Sequence, residues 1–370
     1  MSMEALRVVY RLRSVGAEAT RRAEALALEQ SVEMPIEAVT DARVLRDVVG
    51  RVESLEQQGD GTSLARLALS AESIGSDAGQ LMNMLFGNSS LLDDVGVVDV
   101  DVPATLSSCF GGPRLGIDGI RRLTGVSGRA LSCTALKPIG SSIEDLARMT
   151  HVFCQAGLDV IKDDHGWAAD ARASFRERVV ACQRAIDEAG RGRSTRTLYA
   201  PVISGSLDAM RGQIRFAQAH GVSMVLVAPM VAGVSNFHAL RREFPEIVFL
   251  AHPALAGNQM APAALLGTLF RLFGADASIF PNHGGRFSYS RAVCGAIAGA
   301  LRAPLNGLRA ALPVPAGGMT VERVPEQVGE YGRDAMLLIG GSLLIARDQL
   351  AARSRAFVEA VAAASSEVAT

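Results

Sequence analysis

Ala156-Gly-Leu-Asp-Val-Ile-Lys-Asp-Asp-His165 contains one of only two lysines, Lys137 and Lys162, among the 37 Lys+Arg residues of this 370-residue chain. Everywhere else positive charge is supplied by Arg. An amine can lose its proton when desolvated and act as base or nucleophile, which a guanidinium cannot. Both lysines end short apolar runs, Leu131-Ser-Cys-Thr-Ala-Leu-Lys137 and Leu158-Asp-Val-Ile-Lys162. Such runs read as buried parallel strands, and a rhythm of strand and helix starts with them.

From residue 128 onward, strands are expected near 130–137, 157–162, 196–203, 223–228, 247–252, 277–282, 312–316 and 336–340. Helical stretches are expected between them at 142–156, 171–190, 206–220, 235–243, 261–273, 289–303 and 322–331, with a last one over 343–363. Eight βα units predict an α/β fold with a C-terminal (β/α)8 TIM barrel; an open doubly wound sheet is the structural alternative. Upstream, Glu4–Leu12 reads as an edge strand and Gly16–Leu28 as a helix. Ala42–Leu55 carries mixed signals, Ser63–Ala71 and Val95–Val102 read as strands, and Ser76–Leu85 reads as a helix. That mixture predicts an N-terminal α+β, ferredoxin-like domain over 1–110, with the barrel over 111–370.

A net charge of −1 gives no general attraction to nucleic acid or to a membrane. Apolar runs such as Met224–Ala228 are of strand length, and Met1-Ser-Met-Glu-Ala5 does not read as a signal peptide. Cys109, Cys133, Cys154, Cys182 and Cys294 include no Cys-x-x-Cys pair, which fits reduced, buried thiols in a cytoplasmic protein.

In a barrel, chemistry gathers at the C-terminal ends of the strands. The first expected strand ends in Lys137-Pro-Ile-Gly140 and the second in Lys162-Asp-Asp-His165. The fifth ends in His252, the sixth in Asn282-His283-Gly-Gly-Arg286, the seventh in Ala316-Gly-Gly318 and the eighth in Gly340-Gly-Ser342. Glycine allows close backbone approach, so Gly317, Gly318, Gly340 and Gly341 together suggest a phosphate cradle. Taken singly, each pair is an ordinary turn. Asp164 offers hard oxygen and His165 a nitrogen to a divalent metal, whereas Lys162 could join only as a neutral amine or as a CO2-derived carbamate. The plainer alternative is a salt-bridged Lys–Asp pair capping a strand. Trp167, the only tryptophan, would shape the pocket or pack the core.

Gly157-Leu-Asp-Val-Ile-Lys-Asp-Asp-His165 and Thr134-Ala-Leu-Lys-Pro-Ile-Gly140 resemble two active-site segments of the ribulose bisphosphate carboxylase (RuBisCO) superfamily. Ala316-Gly-Gly318 and Gly332-Arg-Asp-Ala-Met-Leu-Leu-Ile-Gly-Gly341 resemble its phosphate loops. Glu29-Gln-Ser-Val-Glu33 and Asn83-Met-Leu-Phe-Gly87 more faintly resemble its N-terminal contributions to the site. The resemblance implies Mg2+ held by carbamylated Lys162 and Asp164, with His165 where the family has Glu. It implies proton transfer by Lys137, with His252 and His283 matching or lying near family histidines. It also implies a homodimer in which the partner supplies Glu29 and Asn83.

Two departures narrow the expected chemistry. His252 is followed by Pro253 rather than the Arg that holds a second phosphate, and no lysine follows Lys162. Carboxylation of ribulose bisphosphate is therefore not expected; the pattern resembles a RuBisCO-like (form IV) protein using enolate chemistry on a singly phosphorylated substrate. The first expectation is decarboxylation or hydrolytic cleavage of a keto-sugar acid such as 3-oxo-isoapionate 4-phosphate, with Arg286 near the carboxylate. The alternative is methionine-salvage chemistry on 5-methylthioribulose 1-phosphate or 2,3-diketo-5-methylthiopentyl 1-phosphate. A non-catalytic binding homologue is the third reading, supported by His165.

Overall fold

The computed structural model describes residues 5–167, 174–257, 259–287 and 289–368. Glu4, expected to open the first strand, and residues 171–173, expected to open a helix, lie outside these.

The chain begins with a four-stranded antiparallel sheet made of β1 (Ala5–Leu12), β2 (Arg51–Gln57), β3 (Ser63–Ser70) and β4 (Val95–Asp101), in the order β2-β3-β1-β4. Helix α1 (Gly16–Glu29) follows β1 and helix α2 (Ala78–Phe86) follows β3, which gives the βαββαβ succession of a ferredoxin-like unit. β1 is not the edge strand its alternation suggested. It pairs with β3 from Ala5↔Ser70 to Leu12↔Ser63 and with β4 on its other side. Alternation marks one buried face, here Leu6, Val8, Tyr10 and Leu12, and is silent about how many neighbours a strand has. The mixed stretch after residue 42 resolves into a short helix, Ala42–Asp47, followed by β2.

Eight parallel strands form the second sheet: β5 (Leu131–Leu136), β6 (Val160–Asp163), β7 (Leu198–Ala200), β8 (Met224–Val227), β9 (Val248–Ala251), β10 (Ala277–Pro281), β11 (Leu312–Ala316) and β12 (Met336–Leu338). Their order, β7-β6-β5-β12-β11-β10-β9-β8, is a ring cut between β7 and β8. A parallel bridge between Val202 and Leu226 closes the cut, with Ile203 N–H donating to Leu226 O at 2.9 Å and Leu226 N–H to Pro201 O at 2.9 Å. β5, β6, β8 and β9 are buried at every position, as strands covered by helices must be. Each buried Val, Leu, Ile or Phe contributes about 1.5–3 kcal/mol.

The covering helices include α3 (Ile143–Ala156), α4 (Phe175–Ala189), α5 (Leu207–Ala219), α6 (Val234–Glu243), α7 (Arg291–Arg302), α8 (Val324–Tyr331) and α9 (Leu350–Glu367). Local chemistry sets their starts: Ser142, Ser206 and Ser290 cap α3, α5 and α7, while Ser174 and Glu177 form a reciprocal capping box on α4. Four cysteines are buried as expected, but Cys109 is exposed. Its short helix, Ala104–Phe110, turns Leu106 and Phe110 inward and leaves Cys109 on the solvent side. Among the described residues, no helix is long and apolar enough to cross a membrane.

Candidate active site

Lys162 sits on β6 and Lys137 immediately follows β5. Register places Ala135 beside Lys162 and Leu136 beside Asp163, so the two lysines rise from neighbouring strands. Alternation then sorts the two aspartates. Asp163 turns to the helix layer, where its carboxylate accepts from Tyr199 Oη at 2.7 Å, Arg178 Nε at 3.2 Å and Val202 N–H at 3.2 Å. Burial raises its carboxyl above the usual range, with Arg178 the largest opposing influence. Asp163 is thus a packing anchor for the end of β6.

Asp164 faces the mouth. It pairs with Lys137 Nζ, accepts Gly166 N–H at 3.0 Å, and lies 3.3 Å from His165 Nδ1. Its side chain is 6% exposed whereas that of Lys137 is 43% exposed, so the amine is the more accessible partner. Burial raises the Asp164 carboxyl, but hydrogen bonds from Lys137 and Gly166 together outweigh it, and the net shift is downward. Lys162 is 4% exposed, and its amine donates to the backbone carbonyl of Asp163 at 2.9 Å. Burial pushes that amine down toward its neutral form.

His165 and His252 stack, with ring centroids 3.9 Å apart and planes 15° from parallel. Burial, then the charge of Lys162, holds the His252 imidazole down to about 2, so it is neutral at physiological pH. Its Nδ1 accepts Ala254 N–H at 3.2 Å, which assigns the ring proton to Nε2. His165 is also lowered, mainly by burial, with Arg286 among the charges that act on it.

The expected phosphate loops are open. A Cβ added at Gly317, Gly340 or Gly341 would meet no protein atom within 4 Å. Gly317 and Gly318 have φ of +82° and +65°, and a Cβ on Gly318 would fall 2.5 Å from Gly285 Cα. Ser342 Oγ donates to Met319 O at 2.8 Å and joins the two loops.

His283 is engaged elsewhere. Its Nε2 lies 2.7 Å from Glu330 Oε2 on α8, and its Nδ1 lies 3.4 Å from Arg323 Nη2. Glu29 and Asn83 belong to the first sheet's helix layer, where Glu29 accepts from Asn88 at 3.0 Å and Asn83 packs on Gly87. Among the described residues, no hydrogen bond or ion pair joins Glu29 or Asn83 to the strand-end residues of the same chain. Trp167 is core packing: it is 1% exposed, with Arg178 over its ring at 5.0 Å.

For a metal, the donor chemistry at β6 is incomplete until Lys162 contributes oxygen. Among the described residues, the preformed set of carboxylate and imidazole ligand atoms within 4.8 Å of one another lies at His283, Glu326 and Glu330. There Arg291 and Arg323 already pair with Glu326. At β6, a buried amine pushed toward neutrality is the nucleophile that CO2 uptake requires. A carbamate there, with Asp164 and one His165 nitrogen, fits a hard divalent ion such as Mg2+.

Residues 116–279 match the family model of the ribulose bisphosphate carboxylase large chain, catalytic domain. The chain is also 51% identical to the 5-methylthioribulose-1-phosphate isomerase of Rhodospirillum rubrum, over 98% of this chain and 97% of the relative. The chain belongs to the RuBisCO-like protein family. A crystal structure of the Rubisco-like protein from Rhodopseudomonas palustris superposes with a TM-score of 0.91 at 47% identity, covering 98% of both chains. The 2,3-diketo-5-methylthiopentyl-1-phosphate enolase of Microcystis aeruginosa is 31% identical over 86% of this chain and 83% of its own. Within the RuBisCO-like family, then, this chain's similar relatives include an isomerase and an enolase.

Sequence reading missed the Asp163–Arg178–Tyr199 anchor and the contacts of Arg323 and Glu330. The alternation of Lys162, Asp163 and Asp164 along one strand was the available signal for the anchor. Nothing local signals that Arg323 and Glu330 reach residue 283.

Proposed function

We propose that this protein isomerises 5-methylthioribulose 1-phosphate by proton transfer through an enediolate. The observation that carries the reading is the 51% identity, over 98% of the chain, to the isomerase of that name. The site chemistry supports it. A base removes the proton on a carbon beside the ketone, the electron pair moves to the carbonyl oxygen, and the proton returns at the other carbon. Atoms and oxidation level are conserved overall, so no redox partner is needed.

Lys137 Nζ, more open to solvent than its partner Asp164, is the group we assign to take and return that proton, acting as the neutral amine. His252, neutral and carrying its proton on Nε2, donates a hydrogen bond to the enediolate oxygen without competing for the carbon-bound proton. The backbone at Gly317, Gly318, Gly340 and Gly341 receives one phosphate, and Pro253 stands after His252 in place of an Arg for a second. Lys162 as a carbamate, Asp164 and His165 would hold Mg2+, which when bound polarises the ketone and spreads the developing negative charge. A homodimer completes the site, with the partner subunit supplying its own copies of Glu29 and Asn83.

The enolase relative at 31% identity supports a second reading, tautomerisation of 2,3-diketo-5-methylthiopentyl 1-phosphate by the same proton abstraction. Both relatives favour methylthio-sugar chemistry over the decarboxylation or hydrolysis of 3-oxo-isoapionate 4-phosphate expected first from the sequence. The test is 1H and 31P NMR in D2O with Mg2+ and bicarbonate, offering each of the three compounds. A new sugar phosphate from 5-methylthioribulose 1-phosphate, abolished by Lys137→Ala and by Lys162→Ala, is the expected result. Turnover of the keto-acid alone, or no turnover and no deuterium uptake with any compound, would overturn the reading.

A further inference from the structure

Arg323 stands just before α8 and reaches back across two strand-end loops. Its Nη1 donates to Gly318 O at 2.9 Å and to His283 O at 3.2 Å, linking the loop after β11 to the loop after β10. The guanidinium is itself braced by Glu326 through Nε at 3.1 Å. The loops it joins already touch backbone to backbone: a Cβ on Gly285 would come within 3.1 Å of Gly317 C, and one on Gly284 within 3.0 Å of Arg323 Nη1.

A trans peptide is planar, with its C=O and N–H pointing in opposite directions. Fixing Gly318 O on Arg323 therefore turns the N–H of Met319 away from Arg323. Ser342 Oγ holds the next carbonyl, Met319 O, at 2.8 Å, and so fixes the direction of Thr320 N–H. Two consecutive peptide planes after a left-handed Gly-Gly pair are thereby set by side chains from outside the loop. Glycine loops have the most conformational freedom to lose when they bind a ligand.

We infer that Arg323 is a positioning residue, which together with Ser342 presets the backbone of the Gly317-Gly318 loop to receive a phosphate. The inference rests on reading that loop as part of the phosphate cradle. It also gives a part to His283, which the resemblance put near a family histidine. With Nε2 on Glu330 and Nδ1 facing Arg323, its ring braces the clamp.

The experiment compares wild type with Arg323→Ala, Arg323→Lys and Ser342→Ala. Inorganic phosphate affinity is read by 31P NMR titration, kcat and KM by turnover of 5-methylthioribulose 1-phosphate, and folding by circular dichroism. Arg323→Ala is expected to weaken phosphate binding and raise KM by on the order of tenfold, with kcat within about twofold. Arg323→Lys, which keeps the charge but not the planar guanidinium that Glu326 braces through Nε, recovers only part, and Ser342→Ala shows a smaller loss of the same kind. Full recovery in Arg323→Lys would make the effect one of charge and overturn the positioning role. Phosphate affinity unchanged in both Arg323→Lys and Ser342→Ala would overturn it too, even if Arg323→Ala fails to fold. If wild type binds no phosphate, the inference falls together with the cradle. If phosphate affinity drops as expected but no methylthio sugar turns over, the proposed reaction fails and the clamp stands.

Discussion

Replacing Asp163 by Asn tests how the end of β6 is held. Asp163 and Arg178 are both 0% exposed, and the carboxylate accepts from Arg178, Tyr199 Oη and Val202 N–H. Asn offers a single acceptor oxygen to those three donors, and its NH2 group faces donors in turn. It also removes the negative charge that Asp163 sets against the buried Arg178 guanidinium. Breaking a buried pair from one side costs about 3–5 kcal/mol. Removing both charges in Asp163→Asn/Arg178→Met should recover a good part of that, because a buried pair replaced by neutral groups of similar volume is close to neutral. Urea unfolding of wild type, both single variants and the double variant, followed by circular dichroism, gives the coupling energy directly. A value of about 2 kcal/mol or more is expected. A loss below about 1 kcal/mol in Asp163→Asn, or single effects that simply add, would refute the anchor.

Other consequences can be measured independently. Lys162→Ala should lower kcat/KM by a factor on the order of 10³. Wild type is expected to bind Mn2+ in a bicarbonate-dependent way, read by electron paramagnetic resonance, and Lys162→Ala to abolish that binding. His252 titrates near 6.5 when unfolded but is held down to about 2 in the fold, so below pH 6.5 the unfolded chain binds a proton that the native chain refuses. Stability conferred by this group is therefore complete above that pH and lost as the pH falls. In metal-free buffer, His252→Gln should lose about 1 kcal/mol less than wild type between pH 6 and pH 5. If the partner subunit contributes Asn83, mixing inactive Lys162→Ala and Asn83→Ala chains should restore about a quarter of wild-type activity, since half the dimers are mixed and each holds one intact site. No recovery on subunit exchange would place both residues in one chain's site.

The barrel was legible because its strands are continuous apolar runs spaced by helical periods. The run over 130–137 became Leu131–Leu136 and that over 312–316 became Leu312–Ala316. Lys162 and Asp164 could be assigned together because residues two apart share a face. Pairing was harder to read. The interior place of β1 depends on β3 and β4, which lie far along the chain, and alternation in β1 alone cannot report them. The exposure of Cys109 was missed because a seven-residue helix offers too little periodicity to choose a face. His283 stood at a strand end as expected, yet its partner Glu330 is 47 residues away, and only the packing of α8 brings the two together.

The ring of strands is cut between β7 and β8 and closed there through Pro201, Val202 and Ile203 against Leu226, while the first and last strands share three register pairs. That seam also divides the chemical labour. Lys137, Lys162, Asp164 and His165 lie on the stretch before it; His252 and both glycine loops lie on the stretch after it. A nascent chain emerging from the ribosome would thus complete its proton-handling half first and receive its phosphate-holding half later. The same division marks the connection between β7 and β8 as the natural point at which to cut the protein into two complementing fragments, each expected to be inert until the other arrives.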